Sequence, residues 1–223
     1  GFNFNGNKNR LGAFHAPQTV LLDKTLLKTL PRRHLLNGLC EIIKLAIIAD
    51  AELFDLLELH GAECVGSRFQ NAQSDITLDR AIAGMIKELE PNLFEEELAR
   101  KVDFGHTFSY GLETRHEANL LHGEAVLLDI LLSTLIARGR NLMTDDETSR
   151  VFRLTRELGF AIDASVLDPS LLCASLTERT YHRNGLQRVP MPRGIGDCAF
   201  LNDIHAAEIE SAVKTLEDWM AKE

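Results

Sequence analysis

The segments Asp103-Phe104-Gly105-His106-Thr107 and Leu121-His122-Gly123-Glu124 place two histidines sixteen residues apart, and this spacing limits the folds open to the chain. On one unbroken helix the two would stand roughly 24 Å apart, whereas two ligands of one zinc ion each lie about 2 Å from it. If they share a metal, the helix must break between them. Gly111 and the polar run Thr114-Arg115-His116-Glu117-Ala118-Asn119 supply the break, and Leu120-Leu121 then opens a long apolar helix with His122 in its first turn.

A third ligand is best sought where polar residues interrupt another buried helical face. From Pro31 to Ala49, Leu35, Leu36, Leu39, Ile42, Ile43, Ala46 and Ile47 recur at helical spacing, and Glu41 and Lys44 sit among them as i, i+3 neighbours. A carboxylate and an ammonium that near to a core need partners. The alternative for Glu41 and Lys44 is an intrahelical ion pair at the surface, which is common. A lone histidine, in the same way, is more often a packed or solvated residue than a ligand.

The rest of the chain reads as mainly α. Residues Gly1 to Pro17 are rich in Asn and Gly and read as loop, Thr19 to Leu22 as a short strand, and Asp23 as the cap of a brief helix ending near Leu30. Further helices are predicted at Ala51 to His60, Ser74 to Glu90, Phe104 to Thr114 and His122 to Arg138. Thr144-Asp145-Asp146-Glu147 is a capping box for a helix to Leu158. Asp168-Pro169 starts another, and Asp203 is the expected cap of the last, which carries Trp219. Asn184-Gly185 is the expected turn of a small β-hairpin, with strands near Gln187 to Met191 and Cys198 to Leu201.

At 223 residues, 45% of them hydrophobic, the chain can bury one sizeable core, and a net charge of -9 gives no electrostatic footprint for nucleic acid. The longest apolar stretch, Ala125 to Ala137, is interrupted by Asp129 and is too short to span a bilayer, so no membrane partner is expected. Cys40, Cys64, Cys173 and Cys198 are scattered and form no Cys-x-x-Cys pair. That argues against a thiolate zinc site or a disulfide framework and fits a reducing cytoplasm.

Several motifs, in order, resemble the sugar-phosphate cyclase superfamily, which includes 3-dehydroquinate synthase and 2-epi-5-epi-valiolone synthase. They are Lys8-Asn9-Arg10-Leu11-Gly12-Ala13-Phe14, Thr29-Leu30-Pro31, Gly38-Leu39-Cys40-Glu41-Ile42-Ile43-Lys44, Asp103 to Phe108 and Leu121 to Val126. The resemblance implies a metal site of Glu41, His106 and His122 for Zn2+ or Co2+, with Lys44 catalytic. It also implies that Lys8, Asn9, Lys44, Asp103 and Arg188 contact the substrate, a small-molecule sugar phosphate. In that superfamily a bound NAD transiently oxidises a hydroxyl of the substrate, phosphate leaves, the hydride returns, and an intramolecular aldol step closes the ring.

Within the superfamily the chain departs from the dehydroquinate synthase pattern. It has Asp103 for an asparagine, Tyr110 for a histidine and Met85 for a lysine, and the stretch His182 to Gly196 carries Pro190 and Pro192. Met85, Asp103 and the proline segment resemble the valiolone synthase branch, acting on sedoheptulose 7-phosphate, with dehydroquinate synthase as the nearest alternative. The superfamily's glycine-rich NAD-binding α/β domain has no counterpart in these residues. Residues 1–223 are therefore expected to be the C-terminal metal and substrate domain of a longer two-domain enzyme, a homodimer at full length and inactive as this piece alone. A metal-dependent alcohol dehydrogenase and a non-catalytic metal-binding or subunit-interaction domain remain as other classes.

Overall fold

A computed structural model describes residues 2–4, 7–13, 15–113 and 119–221, without the side chains of residues 3–10. Lys8 and Asn9 therefore enter only as backbone. The helices are α1 (Arg32–Ala49), α2 (Ala51–Gly66), α3 (Ala72–Leu89), α4 (Ser109–Glu113), α5 (His122–Gly139), α6 (Asp145–Glu157), α7 (Pro169–Tyr181) and α8 (Ala206–Met220). Two antiparallel pairs complete the chain, β1 (Phe2–Phe4) with β2 (Asn7–Leu11) and β3 (Val189–Pro192) with β4 (Cys198–Leu201). The mainly helical architecture with a small hairpin is as the sequence predicts.

α5 is the centre of the fold because its sequence is apolar on every side. Ala125 to Leu132, Ile136 and Ala137 are all buried, and a helix with no polar face has to be surrounded. It packs on α1, α4, α6, α8 and β3, while α1 also packs on α2 and α3. α6 shows the opposite pattern. Val151, Phe152 and Leu154 face inward and Arg150 and Arg153 outward onto Glu58, and Phe152 meets Trp219 of α8 edge to face with ring centroids 4.8 Å apart.

Local signals fixed several ends as expected. Asp23, Thr144 and Asp168 each accept a backbone N–H at a helix start, and Glu147 closes the capping box on Thr144. Elsewhere long-range contacts override the local reading. Phe2–Phe4 and Asn7–Leu11 form a two-stranded ribbon where a loop is expected, and Thr19 to Leu22 form no strand: Val20, Leu21 and Leu22 are exposed, and among the described residues no strand pairs with them. Asp203 does not cap α8. Its carboxylate is taken by Arg140, and Glu208 instead accepts the N–H of His205, the residue before the helix.

The hairpin turn also lies elsewhere. Asn184 and Gly185, both at positive φ, end α7, with Gly185 N–H returning to Thr180 O. The β3–β4 turn is made by Gly194 and Gly196, whose N–H groups bond Leu142 O and Ile47 O. There the turn is fixed by contacts to α1 and to the end of α5, a long-range requirement that no dipeptide signal carries.

Candidate metal centre

Three elements bring the candidate ligands together. Glu41 projects from the middle of α1, His122 opens α5, and His106 lies in the tight bend before α4. The sequence places a helix over 104–114, but it begins only at Ser109, because Gly105 takes φ +75 and the chain turns there instead of winding. The bend presses on α5: a Cβ at Gly105 would stand 2.9 Å from a Val126 methyl and 3.2 Å from Ile130. The predicted break between the histidines is real. α4 ends at Glu113 and α5 starts at His122, with residues 114–118 outside the described set.

α1 and α5 are locked by the residues that follow His122. Gly123 N–H donates to Asn37 Oδ1, and Glu124 both receives a two-pronged Arg33 guanidinium and accepts the N–H of Leu121. The result is a set of three facing atoms. Nε2 of His106 and of His122 are 3.3 Å apart, and Glu41 Oε1 lies 3.1 Å from the second and 3.6 Å from the first. Ligands 2.0–2.1 Å from a tetrahedral zinc ion are separated by about 3.3 Å, so these three already span one face of that tetrahedron.

The protons support the same reading. His106 Nδ1 lies 3.0 Å from Phe104 O, and His122 Nδ1 3.0 Å from Glu113 Oε1. Both partners are acceptors, so each imidazole carries its proton on Nδ1 and turns the lone pair of Nε2 inward. Two lone pairs and a carboxylate then converge on one point. A single proton can bridge one pair of them, whereas a divalent cation satisfies all three. Glu113 stands where a carboxylate would orient His122 as a metal ligand, a placement the sequence does not reveal because nothing in its spacing marks it.

Electrostatics keep the set ready for a metal. Burial, with Lys44 as the next cause, lowers His106 to about 4 against the opposing pull of Glu41, so the ring is neutral at pH 7. For Glu41, burial acts upward but is overcome by the contact with His122 and by Lys44 and His106, leaving it well below the usual carboxylate range. The Lys44 ammonium, buried, pairs with the other oxygen of Glu41. The side chains of His106, Glu41 and His122 keep 18%, 31% and 39% of their surface exposed, so a bound ion would stay open to a substrate oxygen.

The low value at His106 has a sign that can be measured. Its unfolded pKa is near 6.5, so between pH 6.5 and about 4 the unfolded chain holds a proton that the folded one refuses. Stability of the metal-free chain should be complete above pH 6.5 and fall through this window, by a total of about 3 kcal/mol. Thermal melts in chelator are expected to show this loss in the wild type and not in His106→Ala. Parallel pH profiles for the two would be incompatible with the assignment.

Asp103 and Arg188 lie beside the centre. Asp103 is buried and its two oxygens face Arg100, Arg179 and Arg183, three cations on one anion. Burial, acting upward, is outweighed by Arg179, Arg100 and Arg183, so the carboxyl titrates below its ordinary value. Arg179 reaches Arg188 O and lies 3.5 Å from His106 O, tying the bend to the segment before β3. Arg188, at φ 44, sets its own Nε on Arg183 O. Tyr110 lies next to this cluster with 38% of its surface exposed, and burial of the rest, followed by Asp103, raises its pKa. Met85 packs on the apolar core.

Residues 38–180 match the family model described as 3-dehydroquinate synthase C-terminal, and residues 1–37 match the one described as 3-dehydroquinate synthase N-terminal. The chain belongs to the dehydroquinate synthase-like sugar-phosphate cyclases. It is 47% identical over 222 residues to a 2-epi-5-epi-valiolone synthase of Streptomyces hygroscopicus subsp. jinggangensis, covering 97% of this chain and 54% of that one. A solved 2-epi-5-epi-valiolone synthase from that organism, with NAD+ and Zn2+ bound, superposes with a TM-score of 0.95 at 48% identity, over 98% of this chain and 61% of the other. A 2-deoxy-scyllo-inosose synthase, complexed with carbaglucose-6-phosphate, NAD+ and Co2+, has a TM-score of 0.70 at 19% identity over 96% of this chain and 60% of its own. At that identity the likeness is one of fold. The chain thus spans little more than half the length of the relatives it matches. Among the described residues no helix is long and apolar enough to cross a membrane.

Proposed function

We propose that this chain supplies the metal and substrate side of a cyclase that converts sedoheptulose 7-phosphate to 2-epi-5-epi-valiolone with release of phosphate. The observation that carries the reading is the convergence of Glu41 Oε1 and the two Nε2 lone pairs at zinc-ligand separations. When bound, Zn2+ or Co2+ supplies Lewis-acid polarisation of a substrate oxygen, and NAD, contributed in the solved relative, supplies reversible hydride transfer. The chain's own residues do the rest. Glu41, His106 and His122 hold the ion, Glu113 fixes the ring of His122, and Lys44, buried against Glu41, offers its ammonium to substrate oxygens. Lys8, Asn9 and Arg188 are proposed to meet the phosphate end.

The choice of substrate rests on charge. Met85 offers no cation where dehydroquinate synthase has a lysine, so a carboxylate-bearing substrate loses a partner that a neutral polyol does not need. Asp103 does not act as a bare repelling anion. With three guanidiniums around it, it sets where the arginines point, and its hold on substrate is proposed to run through Arg183 and Arg188. The holoenzyme should release phosphate from sedoheptulose 7-phosphate and leave the carboxylate-bearing substrate of dehydroquinate synthase largely unused. Phosphate release measured with each, in the presence of NAD and zinc, decides this: a preference for the carboxylate-bearing substrate returns the chain to the dehydroquinate synthase branch.

A further inference from the structure

Asp129 is the one charged residue type in the apolar run Ala125 to Ala137 of α5, and it has no exposed surface. Its Oδ2 accepts three successive backbone N–H groups, from Thr107 at 2.7 Å, Phe108 at 2.5 Å and Ser109 at 3.0 Å, while Ser133 Oγ, one turn further along α5, donates to Oδ1 at 3.0 Å. Ser109 opens α4, where the first turn leaves N–H groups without an intrahelical partner, and Thr107 and Phe108 directly precede it. All three N–H groups belong to the residues directly after His106. Seven positions, about two helical turns, separate Asp129 from His122, so both lie on one face of α5 roughly 10 Å apart.

We infer that Asp129 is a positioning residue for the metal centre, holding the His106 bend at a fixed place on the helix that itself carries His122. The inference rests on the metal site proposed above. His106 is in a loop, and its neighbour Gly105 is a residue type that permits many backbone conformations. What stops the loop from drifting is a carboxylate buried inside α5, gripping three consecutive peptides after the candidate ligand, with Val126 and Ile130 closing on Gly105 before it. One helix therefore sets the separation of the two imidazoles. A neutral acceptor would grip less well, since hydrogen bonds to a carboxylate are roughly twice as strong as neutral ones.

Asp129→Asn keeps the shape and removes the charge, so it is the variant to measure, using zinc titration and the visible absorption of the Co2+-loaded protein. The folded variant is expected to bind zinc 10- to 100-fold more weakly, as losses outside the ligand shell typically do, and to give an altered Co2+ spectrum. A merely structural role would lower the melting temperature and leave both readouts unchanged in the folded protein. That result, with His106→Ala deprived of zinc, overturns the inference and leaves the metal site standing; wild-type zinc binding in His106→Ala overturns both. If Asp129→Asn fails to fold, Ser133→Ala decides. It leaves the carboxylate in place but frees its second oxygen, and a roughly threefold rise in the zinc dissociation constant is expected, against no change if the inference is wrong.

Discussion

His106→Ala should abolish tight zinc binding while leaving the fold intact. One of three protein ligands is removed, so the loss should exceed the 10- to 100-fold typical of residues that only orient ligands. At a zinc concentration about 1,000 times the wild-type dissociation constant, binding stabilises the folded chain by about 4 kcal/mol; a 100-fold weaker site leaves about 1.4 kcal/mol. For a chain of this size each kcal/mol is worth about 2–4 °C, so the zinc-induced rise in melting temperature should shrink from about 8–16 °C to about 3–6 °C or less. Equal zinc occupancy in the wild type and in a correctly folded His106→Ala would remove the site. Glu41→Gln should weaken zinc as well, but less cleanly. It strips the buried Lys44 of its charged partner, and an uncompensated buried ammonium destabilises the chain with or without metal.

The three candidate ligands were legible because each stands out against an apolar pattern. Glu41 interrupts a helical stripe, and the sixteen-residue spacing of His106 and His122 demands a break, which follows Glu113 and does not fall at the expected Gly111, a buried residue inside α4. Asp129 was visible in the same way, as the one charge in an apolar run, but its partner was not. It binds backbone N–H groups, and every residue but proline carries one, so no side-chain pattern could point to Thr107, Phe108 and Ser109. Glu113 and Arg179 were hidden for a related reason. Their partners, His122, His106 O and Arg188 O, come close only after α4 and α7 have docked. Capping boxes and N-caps read correctly because both partners lie within four residues. The misplaced hairpin turn and the Asp203 cap failed because distant groups, Ile47 O, Leu142 O and Arg140, decide them.

Two glycines of the motifs that carry the ligands should respond to alanine in opposite directions. A Cβ at Gly123 would stand 2.1 Å from Asn37 O and 2.8 Å from Asn37 C, both backbone atoms of α1, so neither neighbour can move aside as a side chain can. α5 would have to retreat from α1 by about 1 Å, overpacking of a kind that costs roughly 1–3 kcal/mol or more. The helix that moves carries His122 and the helix it leaves carries Glu41, whose facing atoms are 3.1 Å apart. Gly123→Ala should therefore melt about 2–12 °C lower and bind zinc more weakly. Gly38, on the exposed side of the same α1, has nothing within 4 Å of the position its Cβ would take. There alanine only relieves the helix of glycine's backbone entropy, a gain of roughly 0.5–1 kcal/mol with no change in zinc affinity. Because the two substitutions are chemically identical, melting curves and zinc titrations on the pair isolate the approach of the helices from helix propensity. A Gly123→Ala protein with wild-type stability and zinc affinity would mean that the α1–α5 contact does not set the spacing of the ligands.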